Sequence, residues 1–411
     1  MTIDVATVRR SFPILDRQVD GHRLVYLDSA ASSLTPEPVL DAMDHYYRWS
    51  RSNVNRGVYP LAEEATDLYE GARVALAGLL GADPRGVVFT KNATEACNLV
   101  AYGYVRAHLG PGDVLLSTVM EHHANLVPFT QAAKVIGAEV RHIPLTPDGQ
   151  LDLEVAAELL ADGRVTFAAF VHVSNVLGTI NDVTRLTAMV RAANERAVVH
   201  VDGTQAAPHL PVDLPALGVD SYAVTGHKLL GPTGIGALVA RPELLERMEP
   251  FLTGGDMIRD VTLTDATWND IPHRFEAGTP MIAEAAGLTA AVELLTGFGM
   301  TAVREHERRV TAAMLEALDT LAPVTVHGPK DPDLRGGAVS FVLDGVHPHD
   351  VGAMLGSRGV CVRVGHHCTK PLMRCLGVSA TTRASTYVYN DLDELEPLVD
   401  GLAAAHAFFA R

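Results

Sequence analysis

Cysteine is scarce in this chain, with four in 411 residues. So few thiols in so long a chain argue against a disulfide framework. Three of them, Cys361, Cys368 and Cys375, are spaced too widely and evenly for the close pairs of a zinc site, so no metal is expected. Positive charge is also short. With 33 Lys and Arg against 49 Asp and Glu the net charge is −16, which disfavours nucleic acid or an anionic membrane as partner, since both attract basic surfaces. No apolar run approaches the ~20 residues that cross a bilayer. The stretch Met1 to Arg10 has no basic start followed by an apolar core, so a cytoplasmic location is expected. Low-complexity tracts, charge blocks and internal repeats are missing as well.

What is present is an ordinary globular composition, 47% hydrophobic and 20% charged, in a chain long enough for two domains. From Val87 onward short apolar runs alternate with helically spaced stretches: strands at 87–90, 114–117, 140–143, 165–172 and 198–201, helices at 93–108, 125–136 and 183–195. That alternation predicts an α/β fold, a mostly parallel sheet covered by helices, with ligands bound beyond the strand ends. After Pro280, helices at 283–298 and 302–321 lead into a second series of elements, including a strand at 360–364, read as a smaller α+β domain. The expected division is an N-terminal segment 1–23 packing with the small domain, a large domain 24–290 and a small C-terminal domain 291–411.

The polar motifs fall at the strand ends. Ala223 to Thr225 reads as a strand running into Gly226-His227-Lys228 and a glycine-rich turn, Gly231 to Gly236. A lysine held there can lose hydration, drop in pKa and form a Schiff base with an aldehyde; the alternative is a surface lysine beside a hairpin. Upstream, the apolar strand from Ala197 ends in Asp202, either a helix cap or a carboxylate that keeps a pyridine nitrogen protonated. Ala93 and Thr94 follow a strand and open a helix, so they either cap it or meet a phosphate. Glu121-His122-His123 brings an imidazole to the same ends, and Asn175 an amide or a simple turn. Cys368 follows His366-His367 and lies near Arg363 and Lys370, neighbours that favour thiolate; a small buried loop residue is the alternative. Arg383 either holds a carboxylate through two parallel hydrogen bonds or forms a surface ion pair.

Together, Asp202, Gln205, Thr225-Gly226-His227-Lys228 and the run Arg363-Val-Gly-His366-His367-Cys368 followed by Pro371-Leu-Met resemble the SufS-like (group II) cysteine desulfurases. These belong to the class V aminotransferase family of fold type I pyridoxal-phosphate enzymes, and the resemblance runs from Phe12-Pro13 to the last helix. It implies pyridoxal 5'-phosphate on Lys228, with His122 stacked on the ring, Asp202 at the ring nitrogen and Gln205 at the phenolate oxygen. Ala93, Thr94, Thr225 and His227 would hold the phosphate, with Asn175 alongside. Gly278 and Thr279 would reach the phosphate of a neighbouring subunit, so that the site is complete only in a homodimer. By the same resemblance Arg383 would take the carboxylate of L-cysteine, with Asn175, Arg56, Arg363 and His366 around the substrate. Cys368 would accept the sulfur as a persulfide, leave L-alanine, and hand the sulfur to an acceptor protein for iron–sulfur cluster assembly. Cys97, Cys361 and Cys375 read as structural. Two positions depart from the family pattern: Asn55 stands where His commonly precedes Arg-Gly, and Asp256 where Ser or Glu is usual. The first removes a titratable group near the site mouth and keeps open a selenocysteine lyase or a specialised carbon–sulfur lyase.

Overall fold

The computed structural model describes residues 3–409. Its centre is a seven-stranded sheet: β1 (Val87–Thr90), β2 (Val114–Thr118), β3 (Glu139–Ile143), β4 (Val165–Val171), β5 (Val198–Asp202), β6 (Ser221–Thr225) and β7 (Gly236–Ala240). The spatial order is β1-β7-β6-β5-β4-β2-β3, with β7 alone running antiparallel to its neighbours. All but β3 are buried almost throughout, which is why they read as unbroken apolar runs rather than alternating ones. At the edge, β3 carries Glu139 and Arg141 instead. Arg141 pairs with Glu139 and Asp162, both at 2.7 Å, and such charges keep an open edge from pairing with another chain.

The helices form where their apolar spacing predicts, with ends displaced by a few residues. Pro60–Leu80 stops at Gly81, whose φ of +65° is the left-handed turn that closes a helix. Among the described residues no single helix is long and apolar enough to cross a membrane.

Two expected boundaries move. Helix Ile282–Phe298 is continuous and buries Leu288, Ala291, Val292 and Leu295 in the large core, so the break comes at Gly299 (φ +80°), not at 290. Residues 25–28 sit on the small unit: Val25–Tyr26 pairs in parallel with Val360–Cys361, and Val25 and Leu27 share a core with Phe341 and Leu355. The segment before them packs on residues 389–394, where Arg9 bonds Glu394 at 2.6 Å and Phe12 meets the Tyr389 ring edge-on.

The small unit has its own antiparallel sheet, β8 (Val324–His327), β9 (Ala338–Leu343), β10 (Arg363–Gly365) and β11 (Thr381–Ser385), in the order β8-β9-β11-β10. The one strand expected at 360–364 is two. Val360–Cys361 pairs with the N-terminal strand and β10 with β11, so the chain changes sheets at Val362, just before the cysteine loop.

Candidate active site

The C-terminal ends of β1, β2, β4, β5 and β6 open on one crevice of about 230 Å³. Ala93, Thr94, His122, Asn175, Asp202, Gln205, Thr225, His227 and Lys228 all line it. Two glycines let the walls close. A Cβ on Gly236 would lie 2.7 Å from Asn92 Cα, and one on Gly203, after Asp202, would enter the Tyr222 ring.

At one end, Asn92 Oδ1 caps the helix Ala93–Val100 by accepting from Glu95 N (3.0 Å). The first amides of that helix have no partner within it, so they are donors available to an anion at the positive end of the dipole. Thr225 Oγ1 is buried in the same crevice without a hydrogen-bond partner. A buried hydroxyl left unsatisfied is what a phosphate oxygen would complete.

At the centre, burial pulls Lys228 down to about 8; Asp202 and Cys368 oppose the shift and Arg383 adds to it. The amine is therefore poised between charged and nucleophilic forms near neutral pH. Burial, helped by Lys228, holds His122 at about 4, so its imidazole is neutral. Its Nδ1 accepts from Ala124 N (3.1 Å), which places the proton on Nε2. Asp202 is 3% exposed; Thr204 engages its Oδ1 through N (3.0 Å) and Oγ1, and Oδ2 takes no hydrogen bond from the described residues. Gln205 spends one amide hydrogen on Ala30 O (2.7 Å).

The small unit contributes the rest. His367 and Cys368 both have positive φ, +49° and +57°, a conformation unfavourable for residues with side chains and held here by contacts from the large unit. Asn175 Nδ2 donates to His367 O and His123 N to Cys368 O, both at 2.8 Å, while His366 Nδ1 accepts from Cys368 N at 3.1 Å. The turn leaves the Cys368 thiol exposed yet close enough for its charge to act on Lys228. His366 thus shapes the loop. Arg383, on β11, is 3% exposed and donates to Asn175 O (2.8 Å) and Asp28 Oδ1 (3.4 Å), while its Nε is buried without a partner. That spare donor suits a carboxylate.

Three expected site residues are not brought here within the chain. Arg56 and Gly278 line a separate cavity of about 200 Å³ with Asn55 and Asp256, where Arg56 lies 3.7 Å from the Asp256 carboxylate. Thr279 is exposed beside Gly278. Cys375, read as structural, is exposed too: its short helix Lys370–Cys375 buries only Leu372 and Met373. Cys97 is buried and Cys361 partly so.

Several contributors were not picked out from the sequence. Ser32 and Ser33 hydroxyls donate to His227 O (3.3 and 3.0 Å), and Ser33 Oγ accepts from Leu230 N (3.0 Å), so the loop after Asp28 cradles the lysine turn. Glu121, fully buried, accepts from Thr118 Oγ1, Asn125 Nδ2 and Val171 N, yet burial wins and lifts it to about 8. A strand followed by a run of small residues was the available signal for the first. The second had none.

An amine, a strand-end carboxylate, a neutral imidazole and phosphate donors at a helix start are the groups pyridoxal phosphate requires, and the orphaned Thr225 hydroxyl fits it. The sequence profile of aminotransferase class V matches residues 25–398. The chain belongs to the aminotransferase class-V family. One class-V relative, a probable cysteine desulfurase of Halobacterium salinarum, is 50% identical over 410 residues, 99% of this chain and 98% of that one. The apo structure of a cysteine desulfurase from Thermococcus onnurineus NA1 superposes with a TM-score of 0.93 at 38% identity, covering 100% of this chain and 99% of that one. A C-DES variant carrying glycine covalently linked to its PLP cofactor superposes at 0.83 with 25% identity, covering 96% and 98%.

Proposed function

We propose that the chain is a pyridoxal-phosphate-dependent cysteine desulfurase that converts L-cysteine to L-alanine and keeps the sulfur as a persulfide on Cys368. The observation that carries this reading is the exposed Cys368 thiol on a braced left-handed turn, within electrostatic reach of the buried Lys228 amine. Plain transamination needs the lysine and not the thiol.

Bound pyridoxal phosphate supplies an electron sink for bond changes next to the amino acid Cα. Ala93, Thr94, Thr225 and His227 would hold its phosphate, Asp202 its ring nitrogen and His122 its face. Arg383 binds the substrate carboxylate through the donor it has to spare. Lys228, neutral in good part at pH 8, moves the α-proton. Cys368 thiolate attacks the substrate sulfur: the S–S bond forms, the C–S bond breaks with its electron pair going to carbon, and a proton completes alanine. The exposed persulfide suits transfer to an acceptor protein, with iron–sulfur cluster assembly as the destination. The exposed Gly278-Thr279 pair suits a contribution to a second copy, and hence a homodimer.

Mass analysis of the intact holoenzyme after brief exposure to L-cysteine tests the reading. One added sulfur atom mapped to Cys368, with alanine released, is expected. Absence of both, or release of alanine from selenocysteine or thioethers but not from cysteine, would overturn it in favour of another lyase.

A further inference from the structure

Two helix starts meet beside the Cys368 turn. His123 is the first residue of helix His123–Ile136, and Lys370 the first of the short helix Lys370–Cys375. An amide at either position has no acceptor within its own helix. Each finds one across the gap: His123 N donates to Cys368 O at 2.8 Å, and Lys370 N donates to His123 Nε2 at 3.1 Å. The imidazole stands in for a capping side chain. Thr369, at the N-cap of the short helix, makes no side-chain cap, because its hydroxyl is spent on His366 O at 2.8 Å. One histidine thus holds the loop at Cys368 and again two residues on.

The hold needs a neutral ring. With Nε2 as acceptor the single proton sits on Nδ1, and a second proton would set an N–H donor against the Lys370 N–H. Burial, with His366 and Lys370 nearby, keeps the imidazole below its ordinary 6.5, so it is neutral at pH 7. The groups around it are His122 on its own segment, His366 (rings 5.8 Å apart) and Lys370 on the cysteine loop, and Tyr102 and Arg106 across an adjoining cavity of about 640 Å³. Among the described residues no carboxylate lines that cavity, so nothing in its wall favours the charged ring.

We propose that His123 is a positioning residue for Cys368: its amide and its ring together pin the thiol loop to the large unit, and the ring lets go when it gains a second proton. This rests on the desulfurase reading for the role of the Cys368 thiol alone.

The test uses the holoenzyme, with cofactor absorbance reporting that each variant is folded. Amide hydrogen exchange of the segment 366–373, divided by the intrinsic rate at each pH, reads the loop independently of turnover. The wild type should be about tenfold more protected at about pH 8 than at about pH 5, the scale of one hydrogen bond. His123→Gln offers an acceptor that does not titrate and should stay protected at both. His123→Leu offers none and should be as open at the higher pH as the wild type is at the lower. A merely structural role would loosen both variants alike and show no pH dependence. Protection that is flat with pH in the wild type, His123→Gln opening as far as His123→Leu, or unaltered protection in His123→Leu overturns the proposal. Persulfide formation on Cys368 of the wild type is scored separately, and its absence counts against the desulfurase reading only.

Discussion

Asn175 Nδ2 donates to the carbonyl oxygen of His367 at 2.8 Å, across 192 positions of sequence, and the Asn175 carbonyl accepts from Arg383. One residue in the loop after β4 thus aligns both the cysteine loop and Arg383. Asn175→Ala should keep the cofactor while kcat falls by roughly 10²-fold, because a loop held at positive φ relaxes once its brace is gone and a small misplacement is enough. Cofactor absorbance with single-turnover alanine release separates the two effects.

Cys368→Ser should abolish persulfide formation and lower alanine production by at least about a hundredfold, with the cofactor spectrum intact. Cys375→Ser should change neither, although that thiol is also exposed, because Cys368 and not Cys375 is among the groups that act on Lys228. Mass analysis of each variant after L-cysteine checks both.

Lys228 is an ammonium group that burial penalises. Its folded value is about 8 against an ordinary 10.5, so between those values the unfolded chain binds more protons and stability rises with pH. Below about 8 the full penalty applies. Lys228→Met should therefore stabilise the cofactor-free protein at pH 7 by on the order of 1–3 kcal/mol, with the gap closing toward about pH 10.5. Denaturant melts of both proteins across that window are the measurement, and a gap independent of pH would refute the assignment.

Glu121 has the opposite sense. Its folded value of about 8 lies above the ordinary 4.5, so the stability it contributes is complete below 4.5 and is lost as pH rises through 8. Glu121→Gln should match wild type near about pH 5 and gain on it by about pH 9. Glu121→Ala should lie roughly 1–3 kcal/mol below Glu121→Gln at either pH, since Thr118, Asn125 and Val171 N are left without their acceptor. Thermal melts at the two pH values distinguish these outcomes.

The amino-acid order by itself determined the alternation of buried strands and helices, the placement of Asp202, Asn175 and Lys228 beyond strand ends, and the position of Cys368 after a pair of histidines. Those follow from local patterns: unbroken apolar runs, turn residues after them, and charge near a cysteine. Only the tertiary structure decided that residues 25–28 leave the large unit for the small one, that Arg56 and Gly278 lie in a separate cavity, and that Asp28 stands between Arg363 and Arg383. Each of these is a pairing between segments tens to hundreds of positions apart. Such pairings depend on which strands share a sheet and how closely two loops approach, and no local spacing encodes either.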